Sequence, residues 1–474
     1  MKITLPGDVS PPVNIRLDDT TDRKLTRSDA TFSPAYQSKG KHFEIKTLIM
    51  KLLNRTIRLT LIATVLLMWG CWRDDDTNGK KTADGRTSLF GEVTDPETPQ
   101  PSTGDGAYEY AAADGSGRSS GAGSPTSTGD WGGGNPNGQY EPGVLTAGEW
   151  NDLDNWEFWN NLLNNQEYYE DVNKWNLKEI KRYSFVVFDK NESPVANAEI
   201  SLFSDEVEVW KTKTDNKGKA SLWSDLNLDG LTARIAFDGT DELIDALEYA
   251  DGINTVYLDK TVENNKVIDV CFAVDATGSM SDEINYLKAE LNDVIVRIKE
   301  NNPSLEMRFG SVFYRDEGDE FVTRPFSFTS DESSLVSFIS EQSADGGGDF
   351  PEAVHSALDV AITQSSWNND ASARILFLLL DAPPHYTQDV ISSLESNLIK
   401  AADKGIKIVP ITASGIDKAT EYLMRSFAIL TNGTYVFITD DSGIGNDHLE
   451  PTIGEFELEK LNDLMVRLVS EYVP

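Results

Sequence analysis

The stretch that most constrains the fold of this chain is VIDVCFAVDATGSM, which runs from Val267 to Met280. Its first half is a near-continuous hydrophobic run, the pattern of a strand buried on both faces of a parallel sheet. Side chains that carry oxygen follow at alternating positions, and they are Asp275, Thr277 and Ser279. A turn at the carboxyl end of a parallel strand directs its side chains into the crevice where α/β sheets bind ligands. The stretch therefore predicts a binding site at a sheet edge.

The chemistry of these side chains indicates the kind of ligand. One carboxylate and two hydroxyls are hard oxygen donors, which suit Mg²⁺, Mn²⁺ or Ca²⁺ rather than Zn²⁺, since Zn²⁺ prefers Cys and His. We therefore expect a divalent cation as the cofactor, with Mg²⁺ favoured and Ca²⁺ or Mn²⁺ as alternatives.

The segments that follow alternate between apolar strands and amphipathic helices. This alternation predicts a parallel α/β sheet with helices on both faces. The expected elements are an antiparallel edge hairpin at Met307–Tyr314 and Phe321–Phe328, buried strands at Arg374–Leu380 and Ile406–Thr412, and a last strand at Tyr435–Thr439. A final amphipathic helix is expected to carry Phe456, Leu461, Leu464, Leu468 and Val469.

The DATGS sequence resembles the metal-ion-dependent adhesion site of von Willebrand factor A domains, and DATGSM is most similar to the hemicentin-type branch. The resemblance covers residues 266–474. It implies a Rossmann-like α/β fold with a mostly parallel sheet and one antiparallel edge strand. It also implies two further metal loops. One contains Asp349, in GGGDFPE, at a position where family members often carry Thr, and the other contains Asp381, at the end of LFLLLD.

Other polar residues lie near these loops in the sequence. Glu352, His355 and His385 are expected to cap a helix or to contact water rather than to bind metal. Asp349 would add a third carboxylate, which makes the ion less electrophilic and favours Ca²⁺ or a water-mediated contact.

The resemblance implies a binding function. An open position on the ion would take a carboxylate from a protein or extracellular-matrix ligand. Two alternatives remain: an envelope-assembly scaffold whose metal only stabilises the fold, and a hydrolase that uses the metal to activate water. The sequence has no HExxH, GxSxG or P-loop pattern, and we predict that the protein is not an enzyme.

The charge of the chain limits the classes of binding partner, and its cysteine content limits the possible disulfides. The formal charge is −36, from 78 acidic and 42 basic residues. This balance argues against nucleic acid, because a phosphate-binding surface needs a basic patch. Of the two cysteines, Cys271 falls in the buried strand and Cys71 ends an apolar segment, so no disulfide is expected.

The segment from Met50 to Cys71 has a positive start and a short apolar core. It resembles a bacterial lipoprotein signal with Cys71 as the lipidated residue; the alternative is a short buried apolar helix. Residues 1–49 would then be a non-native extension. The WRDDD sequence after Cys71 resembles the surface-export signal of Bacteroidetes-type lipoproteins, which implies a lipid anchor in the outer membrane. Residues 72–143 are rich in Gly, Ser, Pro and Asp, which predicts a disordered tether.

Two further units precede the α/β region. Residues 144–180 are predicted to form a Trp-rich helical segment that begins at a capping box of Thr146 and Glu149. This segment is either a docked helix or a platform for a carbohydrate or partner. Residues 181–262 alternate like a small β-sandwich and resemble carboxypeptidase-regulatory-like or transthyretin-like modules, which implies a spacer. Asp225–Gly230 is similar to the start of a calcium loop, although an ordinary turn is favoured.

Overall fold

The computed structural model describes residues 88–91, 140–175, 177–178 and 180–473. The extension 1–49, the signal segment 50–71 with Cys71, and most of the tether 72–143 lie outside these ranges. Within the ranges, no helix is long and apolar enough to cross a membrane.

Strands and helices occupy the following bounds. The strands are β1 (Thr146–Trp150), β2 (Ile180–Phe188), β3 (Glu199–Ser204), β4 (Val207–Lys213), β5 (Lys219–Asp225), β6 (Thr232–Phe237), β7 (Thr240–Asp245), β8 (Asn254–Tyr257), β9 (Val267–Asp275), β10 (Glu306–Tyr314), β11 (Thr323–Thr329), β12 (Ala373–Leu380), β13 (Ile406–Thr412), β14 (Tyr435–Ile438) and β15 (Glu459–Lys460). The α-helices are α1 (Trp156–Leu163), α2 (Tyr169–Asn173), α3 (Ile284–Asn301), α4 (Glu332–Ser340), α5 (Val354–Asp359), α6 (Gln388–Lys404), α7 (Lys418–Leu430) and α8 (Leu461–Glu471).

An eight-stranded sheet forms the centre of the α/β part, in the order β11-β10-β9-β12-β13-β14-β1-β15. Strands β10, β9, β12, β13 and β14 are parallel, and β11 is the antiparallel edge strand of the expected hairpin. Alternate residues of β9 face different cores: Val270 and Phe272 pack with α3 and α8, whereas Cys271 and Ala273 face the side of α6 and α7. The predicted fold class, with helices on both faces, is confirmed.

The first strand of the sheet comes from far upstream and was not predicted. Thr146–Trp150 forms β1, antiparallel to β14, so the capping-box prediction for Thr146 and Glu149 is wrong. Leu145 and Ala147 are fully buried in the core under α3 and α8, and this burial outweighs a local capping signal. The predicted last strand, β14, is followed in the sequence by the short β15, and both β1 and β15 lie beyond it in the sheet. The helix of this segment starts later, at Trp156.

Two smaller sheets are formed by residues 180–257, in the orders β5-β2-β8 and β4-β3-β6-β7. The strands fall within residues 181–262, where the sequence predicts alternating strands, except that β2 begins one residue earlier, at Ile180. Asp225–Gly230 is a turn between β5 and β6, in which the Oδ1 atom of Asp225 accepts a bond of 2.9 Å from the amide of Asn227. Buried residues of both sheets belong to one apolar cluster with α6 and α7. The two sheets therefore share a core with the α/β part.

A short piece of the predicted tether is also docked. Leu89 and Phe90 are buried. The amide of Leu89 donates to Oε1 of Glu395 on α6 at 2.7 Å, and Phe90 forms a bridge with Leu177. This part of the segment 72–143 thus packs on the folded body.

Candidate metal centre

The DATGS loop brings its three oxygen-bearing side chains together. Asp275 is the last residue of β9, and the loop leads through a short 3₁₀ turn into α3. Oδ1 of Asp275 accepts bonds from the amide of Thr277 at 2.9 Å and from its hydroxyl at 2.7 Å. The hydroxyls of Thr277 and Ser279 lie 3.1 Å apart. Asp275 and Thr277 are buried, whereas Ser279 is exposed, so the cluster has one side open to solvent.

Asp381 joins this cluster from the neighbouring strand. It directly follows β12, and β12 pairs in parallel with β9 so that Leu379 lies opposite Val274. Burial raises the pKa of Asp275 to about 6, although hydrogen bonds from Thr277 oppose the shift. Burial and then the charge of Asp275 raise the pKa of Asp381 to about 8. The two carboxylates therefore disfavour each other's ionisation.

The glycine-rich loop closes over the DATGS turn. The amide of Gly278 donates to the carbonyl of Gly346 at 3.1 Å, and both Gly346 and Gly347 have positive φ, 78° and 72°. A β-carbon at Gly347 would lie 3.5 Å from Cβ of Thr277, so the backbone passes close to the site. Asp349, further along this loop, is exposed.

Glu352 is the residue whose position the sequence did not reveal. It lies on the same loop but is 2% exposed, and burial and then the charge of Asp275 raise its pKa to about 9. It precedes α5, which suggested a cap, yet the N-cap residue of that helix is Ala353, which makes no side-chain cap bond. Nε2 of His385 is 2.6 Å from Oδ1 of Asp316. His355 is 3.6 Å from Glu317.

The arrangement suits a hard cation, because it contains buried oxygens that have no hydrogen-bond partner. Among the described residues, five buried carboxylate oxygens have no hydrogen-bond partner. Three belong to the metal loops, and they are Oδ2 of Asp275, Oδ1 of Asp381 and Oε2 of Glu352; the other two are Oδ1 of Asp282 and Oε2 of Glu283. In the same ranges, no group of three or more His, Cys, Asp or Glu side chains is placed so that it could hold a metal ion by itself. An ion at this site would therefore take ligands from the hydroxyls of Thr277 and Ser279 as well as from carboxylates.

Comparisons with known proteins agree with this architecture. Residues 269–440 match the family model of the von Willebrand factor A domain. The chain is 26% identical over 219 residues to alpha-protein kinase vwkA of Dictyostelium discoideum, covering 45% of this chain and 34% of that protein. It is 32% identical over 113 residues to von Willebrand factor A domain-containing protein 7 of Rattus norvegicus, covering 24% of this chain and 12% of that protein.

These matches leave most of each relative uncovered, since the chain spans at most 34% of their lengths. Among solved structures, the conserved hypothetical protein BatB of Bacteroides thetaiotaomicron aligns at a TM-score of 0.31 and 14% identity, over 43% of this chain and 98% of that one. The von Willebrand factor A domain indicates a role in protein interaction or adhesion in general.

Proposed function

We propose that this protein is a lipid-anchored surface protein that binds a divalent cation and, through it, an acidic group on a protein or matrix ligand. The ion would be held by Asp275, Thr277, Ser279 and Asp381. The observation that carries this proposal is the pair of buried, unpaired carboxylate oxygens on Asp275 and Asp381 beside two hydroxyls. A buried carboxylate without a partner is costly, and a cation removes that cost.

Each residue has a distinct role in this proposal. Thr277 orients Asp275 by two hydrogen bonds, which leaves Oδ2 of Asp275 as the free ligand atom. Ser279 is exposed, so the ion would be reached from its side. When bound, the ion supplies a Lewis-acid position for a partner's carboxylate oxygen. Phe350 is 47% exposed on the glycine-rich loop and offers such a partner an apolar contact.

The location of the protein is proposed from sequence alone. The Met50–Cys71 pattern supports a diacylated Cys71 in the outer membrane, with the folded body facing outward. Mass spectrometry of the membrane fraction should find a mature chain that begins at lipidated Cys71. A mature chain that retains residues 1–49 would contradict the anchor without affecting the metal site.

Divalent ions should stabilise the full chain against heat. At a hundredfold excess over Kd, binding to the folded state alone adds about 2.7 kcal/mol to the free energy of unfolding. The melting temperature should rise when Mg²⁺, Mn²⁺ or Ca²⁺ is added and should return to its starting value when EDTA removes the ion. Asp275→Ala should abolish the rise, whereas Asp245→Ala, at an exposed position on β7, should keep it. Calorimetry that detects no ion binding at millimolar concentration would refute the metal site.

A second measurement separates adhesion from a purely structural ion. Immobilised acidic peptides should capture the full chain in the presence of the ion and release it with EDTA, because the partner's carboxylate would complete the coordination. Matched peptides with amides in place of the carboxylates serve as the control. An ion that raises the melting temperature while no carboxylate binds would favour the scaffold alternative.

A further inference from the structure

We propose that Glu352, and not Asp349, is the acidic ligand that the glycine-rich loop gives to the cation, and that the site consequently prefers Ca²⁺ to Mg²⁺. This inference rests on the proposed metal-binding function and specifies its ligand set. The set becomes three carboxylates and two hydroxyls, held by three separate loops.

The backbone fixes Glu352 beside the third metal loop. Its amide donates to the carbonyl of Pro383 at 2.8 Å, and the residue forms a parallel bridge with Pro384. Asp381 lies two residues before Pro383 and opens the same loop. Glu352 is thus tied to the loop that carries a proposed ligand, whereas among the described residues no such backbone bond ties Asp349.

The side chain of Glu352 lies across Gly347 from the DATGS turn. A β-carbon placed on Gly347 would be 3.1 Å from Oε1 of Glu352 and 3.5 Å from Cβ of Thr277. The carboxylate and the threonine therefore flank the same point of the loop. A side chain at position 347 would intrude between them, which explains the need for glycine there beyond its positive φ.

A structural role does not account for the burial of this carboxylate. Its Oε2 atom is buried without a hydrogen-bond partner in the described part of the chain, and α5 takes no side-chain cap from it. After burial, the strongest influences that raise the pKa of Glu352 are the charges of Asp275, Asp316, Asp381 and Asp319. A buried acid among acids is unfavourable unless a cation binds it.

The third carboxylate sets the ion preference. Ca²⁺ accepts six to eight oxygen ligands in a flexible arrangement, including bidentate carboxylates, whereas Mg²⁺ requires near-ideal octahedral geometry and keeps several waters. Three carboxylates and two hydroxyls can supply more than five oxygen ligands when a carboxylate binds in a bidentate manner. The larger ion, with its more tolerant coordination, suits this ligand set better.

Calorimetry on the full chain with Ca²⁺ and Mg²⁺ tests the assignment. Glu352→Gln should weaken Ca²⁺ binding at least tenfold, roughly the lower end of what loss of a supporting group around a metal costs. Asp349→Asn, the matched exposed acid of the same loop, should change Kd less than about twofold. Ca²⁺ should bind the unaltered chain more tightly than Mg²⁺. The apo Glu352→Gln chain should melt no lower than the unaltered chain, because an unpaired buried acid is removed.

A spectroscopic count of waters distinguishes a ligand from a mere neighbour. With Eu³⁺ as the probe, luminescence lifetimes in H₂O and D₂O should show one more coordinated water in Glu352→Gln than in the unaltered chain. Ion binding that survives Glu352→Gln unchanged, or that is lost in Asp349→Asn, would overturn the assignment while leaving the metal site standing. Failure of the unaltered chain to bind any ion would instead refute the proposed function, and this inference with it.

Discussion

A fragment of residues 266–474 should fail to fold to a stable monomer, although it contains the whole region that resembles a von Willebrand factor A domain. A fragment of residues 140–474 should fold. The difference arises because the sheet needs β1, which lies between β14 and β15 and has no counterpart after residue 266. Without β1, the four-residue ladder along β14 has no partner.

The 266–474 fragment lacks packing contacts and hydrogen bonds that contribute much of the stability of the longer fragment. Leu145 and Trp150 are buried, and such side chains contribute roughly 1.5–3 kcal/mol each. The carboxylate of Glu290 on α3 accepts bonds from the amides of Gly143, Val144 and Leu145, at 2.7, 3.0 and 3.1 Å. Glu290 is fully buried, so removing these donors strands it at a cost of about 1–3 kcal/mol or more. The fragment also loses the two smaller sheets that share a core with α6 and α7. The combined loss is comparable with the 5–15 kcal/mol that stabilises a typical domain.

Circular dichroism melts and size-exclusion chromatography of the two fragments test this expectation. A synthetic peptide of residues 140–155 added to the 266–474 fragment isolates the contribution of β1, and it should restore some cooperative melting. In the longer fragment, Leu145→Asp should lower the melting temperature sharply, whereas Thr240→Asp on the edge strand β7 should not. A 266–474 fragment that melts cooperatively at the temperature of the longer one would show that β1 is dispensable.

The parts of the fold that sequence predicted are those in which a local pattern and the tertiary environment agree. Strand β9 is a near-continuous apolar run and is buried along its length. The turn after it carries oxygen donors, and those donors lie together. In such stretches the polarity of each residue alone predicts whether it is buried and what it lies next to.

The parts that sequence missed depend on distant partners. TAGEW satisfies a capping box, yet its residues pair with β14, almost three hundred positions away, and Phe437 packs over Gly148, where an added β-carbon would lie 2.4 Å from the ring. Glu352 follows Pro351 before a helix and so is typical of a cap, yet the bridge to Pro384 turns it toward the acids. Local preference is weaker than a buried ladder or a fixed loop crossing.

The buried ion pair between Asp152, which follows β1, and Arg425 on α7 should be the most sensitive polar contact among the described residues. Asp152 binds Arg425 in a bidentate manner, with Nε to Oδ2 at 2.9 Å and Nη2 to Oδ1 at 2.6 Å. Arg425 also donates to Glu421 at 3.1 Å, and the side chains of Arg425 and Glu421 are fully buried. Trp150 adds a bond of 3.0 Å from its indole nitrogen to Asp152. The cluster therefore joins β1 to α7.

Asp152→Ala should lower the free energy of unfolding by about 3–5 kcal/mol, because it removes one partner and leaves a buried guanidinium under-compensated. Urea denaturation of the full chain measures the loss. Asp152→Ala combined with Arg425→Met should recover part of it, since the stranded charge is removed with its partner, although Glu421 then loses one donor. The matched exposed pair supplies the control: Asp241→Ala, which breaks the surface contact with Arg234, should cost at most about 1 kcal/mol. A double variant that is no more stable than Asp152→Ala would show that packing around Arg425, and not its unpaired charge, dominates this contact.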